Sequence, residues 1–125
     1  MIQESYVSFE IAKLLKEKGF DEACWSWYHN GNNTHTGTSR YCNGELGKYD
    51  FSKATLAHVM RWLREDKGLF VEICCDDLNY NWQILDIWHR DANEDPLIKS
   101  ASYGGYNEYE KAVESAIKYC LENLI

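Results

Sequence analysis

Between Asn107 and Ile125 the apolar side chains return at helical spacing: Tyr109, Ala112, Val113, Ala116, Ile117, Cys120, Leu121 and Leu124 share one stripe. A helix with so complete a stripe must cover it with another layer, so the rest of the chain is expected to supply a sheet or further helices. Asn107 reads as the N-cap, with Glu110 three residues on and able to reach back to the Asn107 amide as a capping box. Tyr103, Gly104, Gly105, Tyr106 and Asn107 form the approach to this helix. Glycines admit a ligand close to the backbone, and helix N-termini present free amides and the positive end of a dipole. This loop is therefore a candidate site for a small-molecule or nucleotide-like ligand, although Glu108 and Glu110 stand where a phosphate would approach.

Upstream the pattern alternates. Ser8 is placed to cap a helix running to about Lys18, with Ile11, Leu14 and Leu15 on one face and Gly19 as its stop. Cys24 to His29 is aromatic and strand-like, and Asn30-Gly31-Asn32-Asn33 is turn chemistry. The return strand is expected near Thr38 to Cys42, which leaves a long, polar, mobile hairpin tip. Asp50 to Lys67 reads as a second helix on Leu56, Val59, Met60 and Leu63, closed by Gly68. Leu69 to Cys75 and Trp82 to Trp88 flank a turn containing Asp76, Asp77, Asn79 and Asn81, which predicts a central antiparallel hairpin. Arg90 to Asp95, ahead of Pro96, reads as a surface loop. The order α-β-β-α-β-β-α predicts a single α+β domain over residues 1–125, with a mainly antiparallel sheet of about four strands and three packed helices.

The 125 residues carry 13 basic and 20 acidic side chains, a formal charge of -7 that repels phosphate backbones and anionic lipid. No nucleic-acid or membrane partner is expected. The opening residues lack a basic and apolar leader and no apolar run reaches bilayer-spanning length, so the expectation is a cytoplasmic protein. Five cysteines make an odd set, read as free thiols in a reducing compartment.

Candidate chemistry is sparse. Cys24, His29, His35 and Cys42 are four zinc-type ligands within one hairpin, but the tight Cys-x2-Cys or His-x3-5-His knuckle of common zinc sites is absent and no cofactor is implied. Cys74 and Cys75 point to opposite faces of a strand and read as one buried and one half-exposed thiol. Glu72 and Asp86 would form a two-carboxylate pair only in one strand register. His58, beside the apolar Val59 and Met60, reads as structural, and no complete catalytic constellation is present. Trp25 and Trp27 share one strand face, and Trp82 and Trp88 share another; together they would make an aromatic contact surface for a protein partner or for self-association.

The segments Ile11-Ala12-Lys13-Leu14-Leu15-Lys16-Glu17-Lys18-Gly19-Phe20, Trp62-Leu63-Arg64-Glu65-Asp66-Lys67-Gly68 and Tyr109-Glu110-Lys111-Ala112 resemble a group of small uncharacterised proteins of gut-bacterial genomes and their phages. The resemblance brings no activity and no catalytic residues. It implies a setting among phage or mobile-element accessory proteins, which points to a small non-enzymatic binding or interaction protein. A ligand binder using the Tyr103 to Asn107 loop and a zinc-dependent enzyme are the alternatives.

Overall fold

The structure, a computed structural model, describes residues 3–102 and 105–125. It divides into two compact units, Met1–Leu56 and Ala57–Ile125.

In the first unit, helix α1 (Phe9–Glu17) starts where the Ser8 hydroxyl accepts from the Ile11 amide at 3.3 Å. It buries Ile11, Ala12 and Leu15 and packs on β3. Strands β1 (Cys24–His29) and β2 (Asn33–Tyr41) form an antiparallel hairpin in which His29 faces Asn33. The expected long tip is absent. Asn30 and Gly31 take φ of 50° and 84°, which turns the chain at once, and the β-prone threonines Thr34, Thr36 and Thr38 extend the return strand towards the turn.

A short 3-10 turn, Asn43–Glu45, leads to strand β3 (Asp50–Ser52), in a stretch expected to begin the second helix. β3 pairs with β1, setting Trp27 opposite Ser52, Tyr28 opposite Phe51 and His29 opposite Asp50. The sheet order is β2-β1-β3. Buried Asn43 joins three segments: its amide donates to the Phe20 carbonyl at 2.8 Å and its oxygen accepts from the Ser52 amide at 2.9 Å. The Tyr28 hydroxyl donates to the Val7 carbonyl at 2.6 Å, so the aromatic strand also anchors the chain ahead of α1.

Helix α2 (Leu56–Lys67) opens at the junction of the units and buries Val59, Trp62 and Leu63. Gly68 stops it at φ 67° and lies under the Trp88 ring, where an added Cβ would sit 2.3 Å from ring carbon. Strands β4 (Leu69–Asp76) and β5 (Asn79–Arg90) form the expected hairpin, with Asp76 facing Asn79 and Leu69 facing Asp86. A third strand, β6 (Pro96–Ala101), follows the polar loop and gives the order β4-β5-β6. Pro96 opens an edge strand, where a missing amide donor costs nothing to the ladder.

Helix α3 (Tyr109–Tyr119) continues as a π-helical turn, Cys120–Leu124, and packs on β4 and β5. Ala112, Val113, Ala116, Ile117, Cys120 and Leu121 are all fully buried. Tyr109 departs from the stripe, lying exposed and edge-on to Tyr80 at 5.9 Å. The N-cap is Glu108 rather than Asn107, and no side chain caps it. The capping box is therefore not made, because the helix begins one residue later than its spacing allows.

The α+β class is as expected. The single sheet of about four strands is corrected to two three-stranded antiparallel sheets, because β3 and β6 each extend one hairpin. Among the described residues no helix is long and apolar enough to cross a membrane. Ile117→Ala is expected to lower unfolding free energy by about 2–5 kcal/mol through the cavity it opens. Leu78→Ala, at a turn position 89% exposed, is expected to change it by less than about 0.5 kcal/mol. Urea denaturation of both variants checks the contrast.

Candidate ligand-binding cleft

The first unit holds a cleft of about 440 Å³ lined by Phe9, Lys13, Asn30, Gly31, Lys48, Tyr49 and Phe51. Its volume falls within the roughly 300–1,000 Å³ typical of small-ligand sites. The aromatic wall is built on ring contacts. Phe9 meets Tyr28 and Phe51 edge-on, at centroid distances of 5.6 and 5.7 Å, and half-buried Phe51 is held opposite Tyr28 by the β1–β3 pairing. The Asn30-Gly31 turn lines the cleft as well.

Cations complete it. The Lys13 ammonium lies 5.6 Å from the Phe9 ring centroid, one helical turn away, and the Lys48 ammonium lies 5.5 Å from that of exposed Tyr49. Lys16 braces the loop that carries Lys48 and Tyr49, donating to the carbonyls of Gly47 at 2.9 Å and Asp50 at 2.8 Å while lying 5.1 Å from the Phe51 centroid. Among the described residues, none that lines this cleft is acidic. A net charge of -7 makes that local excess of ammonium groups a departure from the chain as a whole.

Close by, His29 Nδ1 and Asp50 Oδ1 are 2.6 Å apart, and Asn30 Nδ2 approaches His29 Nε2 at 3.2 Å. An amide donating to Nε2 leaves the proton on Nδ1, directed at the carboxylate. His35, two positions along the return strand from Asn33, brings its ring to 5.0 Å from that of His29.

The four zinc-type residues do not gather. His29 and His35 meet each other, whereas Cys24 is buried and Cys42 donates its thiol to Glu45 at 3.1 Å. Burial pushes the Cys24 thiol up to about 11, with the Glu22 charge adding to the effect. The hydrogen bond to Glu45 raises that of Cys42. Among the described residues no group of three or more His, Cys, Asp or Glu side chains is placed to hold a metal ion.

The loop before α3 was the other ligand-site candidate. Tyr103 and Gly104 lie outside the described residues. Tyr106 is engaged structurally: it exchanges backbone hydrogen bonds with Tyr80 at 2.7 and 2.8 Å, and its hydroxyl meets Ser115 Oγ at 2.7 Å. A Cβ on Gly105 would come within 2.8 Å of Asn79 Cβ, so this glycine serves a close chain crossing. Exposed Asn107 precedes the cap of α3.

The tryptophan pairs belong to different sheets. Trp25 is exposed beside the Arg40 guanidinium, 6.0 Å from its ring, and Trp27 is half-buried. Trp82 is buried against α3, donating its indole N–H to Ser115 at 3.2 Å, while Trp88 rests on Gly68 with its other side exposed. Glu72 faces Gln83 and Asp86 faces Leu69, three positions apart along the ladder, so strand alternation puts the two carboxylates on opposite faces. Cys74 and Cys75 are both exposed, a correction to the expected buried partner, because the hairpin end beyond Ile73 extends past its cover.

No family model matches this chain, and no curated protein or solved structure matches it significantly.

Cys24 provides a pH test. Burial pushes it up to about 11, above the 9.0 of a free thiol, so it stays protonated in the fold after it has ionised in the unfolded chain. The stability it contributes is complete below pH 9 and is lost as pH rises towards 11. Cys24→Ala is expected to flatten the fall in denaturation midpoint across that window.

Proposed function

We propose that this chain is a small non-enzymatic binding protein whose first unit takes up a small planar anion, an aromatic carboxylate or phosphate, in the cleft between α1 and the Asn30-Gly31 turn. One observation carries the reading: Lys13 and Lys48 border the aromatic surfaces of Phe9, Tyr49 and Phe51 in a cleft with no acidic residue in its lining among the described residues. The rings supply area for stacking and the ammonium groups supply charge-assisted hydrogen bonds, which are shorter and stronger than neutral ones. Lys16 is already committed to the loop carbonyls, so its part is to hold the cleft open in one shape.

A protein partner is the second reading, supported by exposed Trp25 beside Arg40, since aromatic residues and arginine are enriched at interfaces.

Calorimetric titration with nucleoside monophosphates and aromatic carboxylates tests the proposal. Lys13→Ala and Lys48→Ala are each expected to cost about 1.5–3 kcal/mol of binding, roughly 10- to 150-fold in Kd, if each removes one charged hydrogen bond. Affinity should also fall with added salt. Binding unchanged in the double variant, or no binding by either class of anion, counts against the cleft. Trp25→Ala should leave anion binding intact.

A further inference from the structure

The two histidines of the first hairpin form a pair that the cleft reading does not use. His29 ends β1 and His35 lies on β2, and their rings stand 5.0 Å apart between centroids at 77°. Metal–imidazole nitrogen bonds are about 2.0–2.1 Å long, so two histidines sharing one ion hold their ring centres roughly 4.5 Å apart at a right angle and roughly 5.2 Å apart at a tetrahedral angle. The observed separation lies between those values.

A second observation concerns orientation. Ligating histidines almost always direct the other ring N–H at a carboxylate or carbonyl, which fixes the tautomer and raises ligand basicity. His29 has that arrangement, with Nδ1 at 2.6 Å from Asp50 Oδ1, and the strand register places Asp50 directly opposite it. Nε2 is left to the Asn30 side chain at 3.2 Å, a surface contact that an ion can displace. His35 is stacked against Trp27, with centroids 6.2 Å apart at 17°, which restricts its ring as well.

We infer that His29 and His35 form a two-histidine site for a borderline divalent ion such as nickel or zinc, with water at the remaining positions and Asp50 positioning His29. Imidazole ligands suit these ions, whereas hard magnesium and calcium prefer oxygen. No third protein ligand is required. The site thus agrees with the lack, among the described residues, of any larger ligand group.

Calorimetry on the full chain with nickel and zinc ions tests it, under a non-coordinating reductant. One ion per chain is expected, with magnesium giving no heat. His29→Gln and His35→Gln should each weaken binding at least tenfold. Asp50→Asn should weaken it by about tenfold, at the low end of the 10- to 100-fold effect typical of such supporting carboxylates. His89→Gln, the combined Cys42→Ser, Cys74→Ser and Cys75→Ser variant, and Lys13→Ala with Lys48→Ala should bind as the parent does. The last control separates this site from the cleft. Should a histidine variant fail to fold, paramagnetic broadening by nickel in the parent protein must fall first on the His29 and His35 ring signals. Broadening centred elsewhere, loss of binding in the cysteine variant, or wild-type affinity in either histidine variant overturns the inference.

Discussion

The Lys16 ammonium, donating to the carbonyls of Gly47 and Asp50, is the constraint on which the first unit's surface chemistry depends. Those two bonds tie α1 to the loop that carries Lys48 and Tyr49 and to the first residue of β3. Through β3 the constraint reaches β1, because Asp50 is registered opposite His29 and Phe51 opposite Tyr28. A single lysine thereby sets one side of the cleft and helps hold the carboxylate that orients a histidine. Satisfying two backbone carbonyls with one charge also leaves that lysine with no role as a ligand group.

Electrostatics separates this region from the molecule around it. An acidic chain discourages anions at long range, yet Lys13 and Lys48 lie beside aromatic rings within the cleft. On the proposed reading a compact anion would meet the local ammonium groups, while an extended phosphate backbone would also meet the acidic remainder. In the second unit the pairs Arg61–Glu65, Arg64–Glu65, Asp86–His89 and Glu108–Lys111 each join residues at most four positions apart. Burial works to raise the Asp86 carboxyl, but the His89 ring and the Trp88 and His89 amides outweigh it and hold the group below its usual range.

Periodicity made the helices legible, and alternation with turn residues made the two hairpins legible. The α3 stripe and the Ser8 cap are the clearest cases, since each depends on residues close in sequence. β3 and β6 escaped for the opposite reason. Asp50-Phe51-Ser52 is too short for any period to register, and its strand state comes from pairing with β1 more than 20 residues away. The Asn107 cap failed by one residue, within the scatter expected of helix ends. The cleft was not legible because its lining comes from three separate segments. The only local signals were a lysine one turn after Phe9 and the adjacent Lys48-Tyr49. His29 and His35 were recognised as ligand-type residues, but their Cys24 and Cys42 companions proved to be a buried packing group and a loop thiol bonded to Glu45.

The thiols are sorted by depth, and that sorting sets how oxidative damage would be distributed. Burial pushes the Cys120 thiol to about 12 and that of Cys24 to about 11, so neither offers the thiolate that attacks a peroxide oxygen. Cys74 and Cys75 stand in the open as neighbours on alternating sides of a strand, a geometry that disfavours a bridge between them. The thiols open to oxidant are thus those at the rim, where stepwise oxidation or a link to a second molecule would leave the packed interiors untouched.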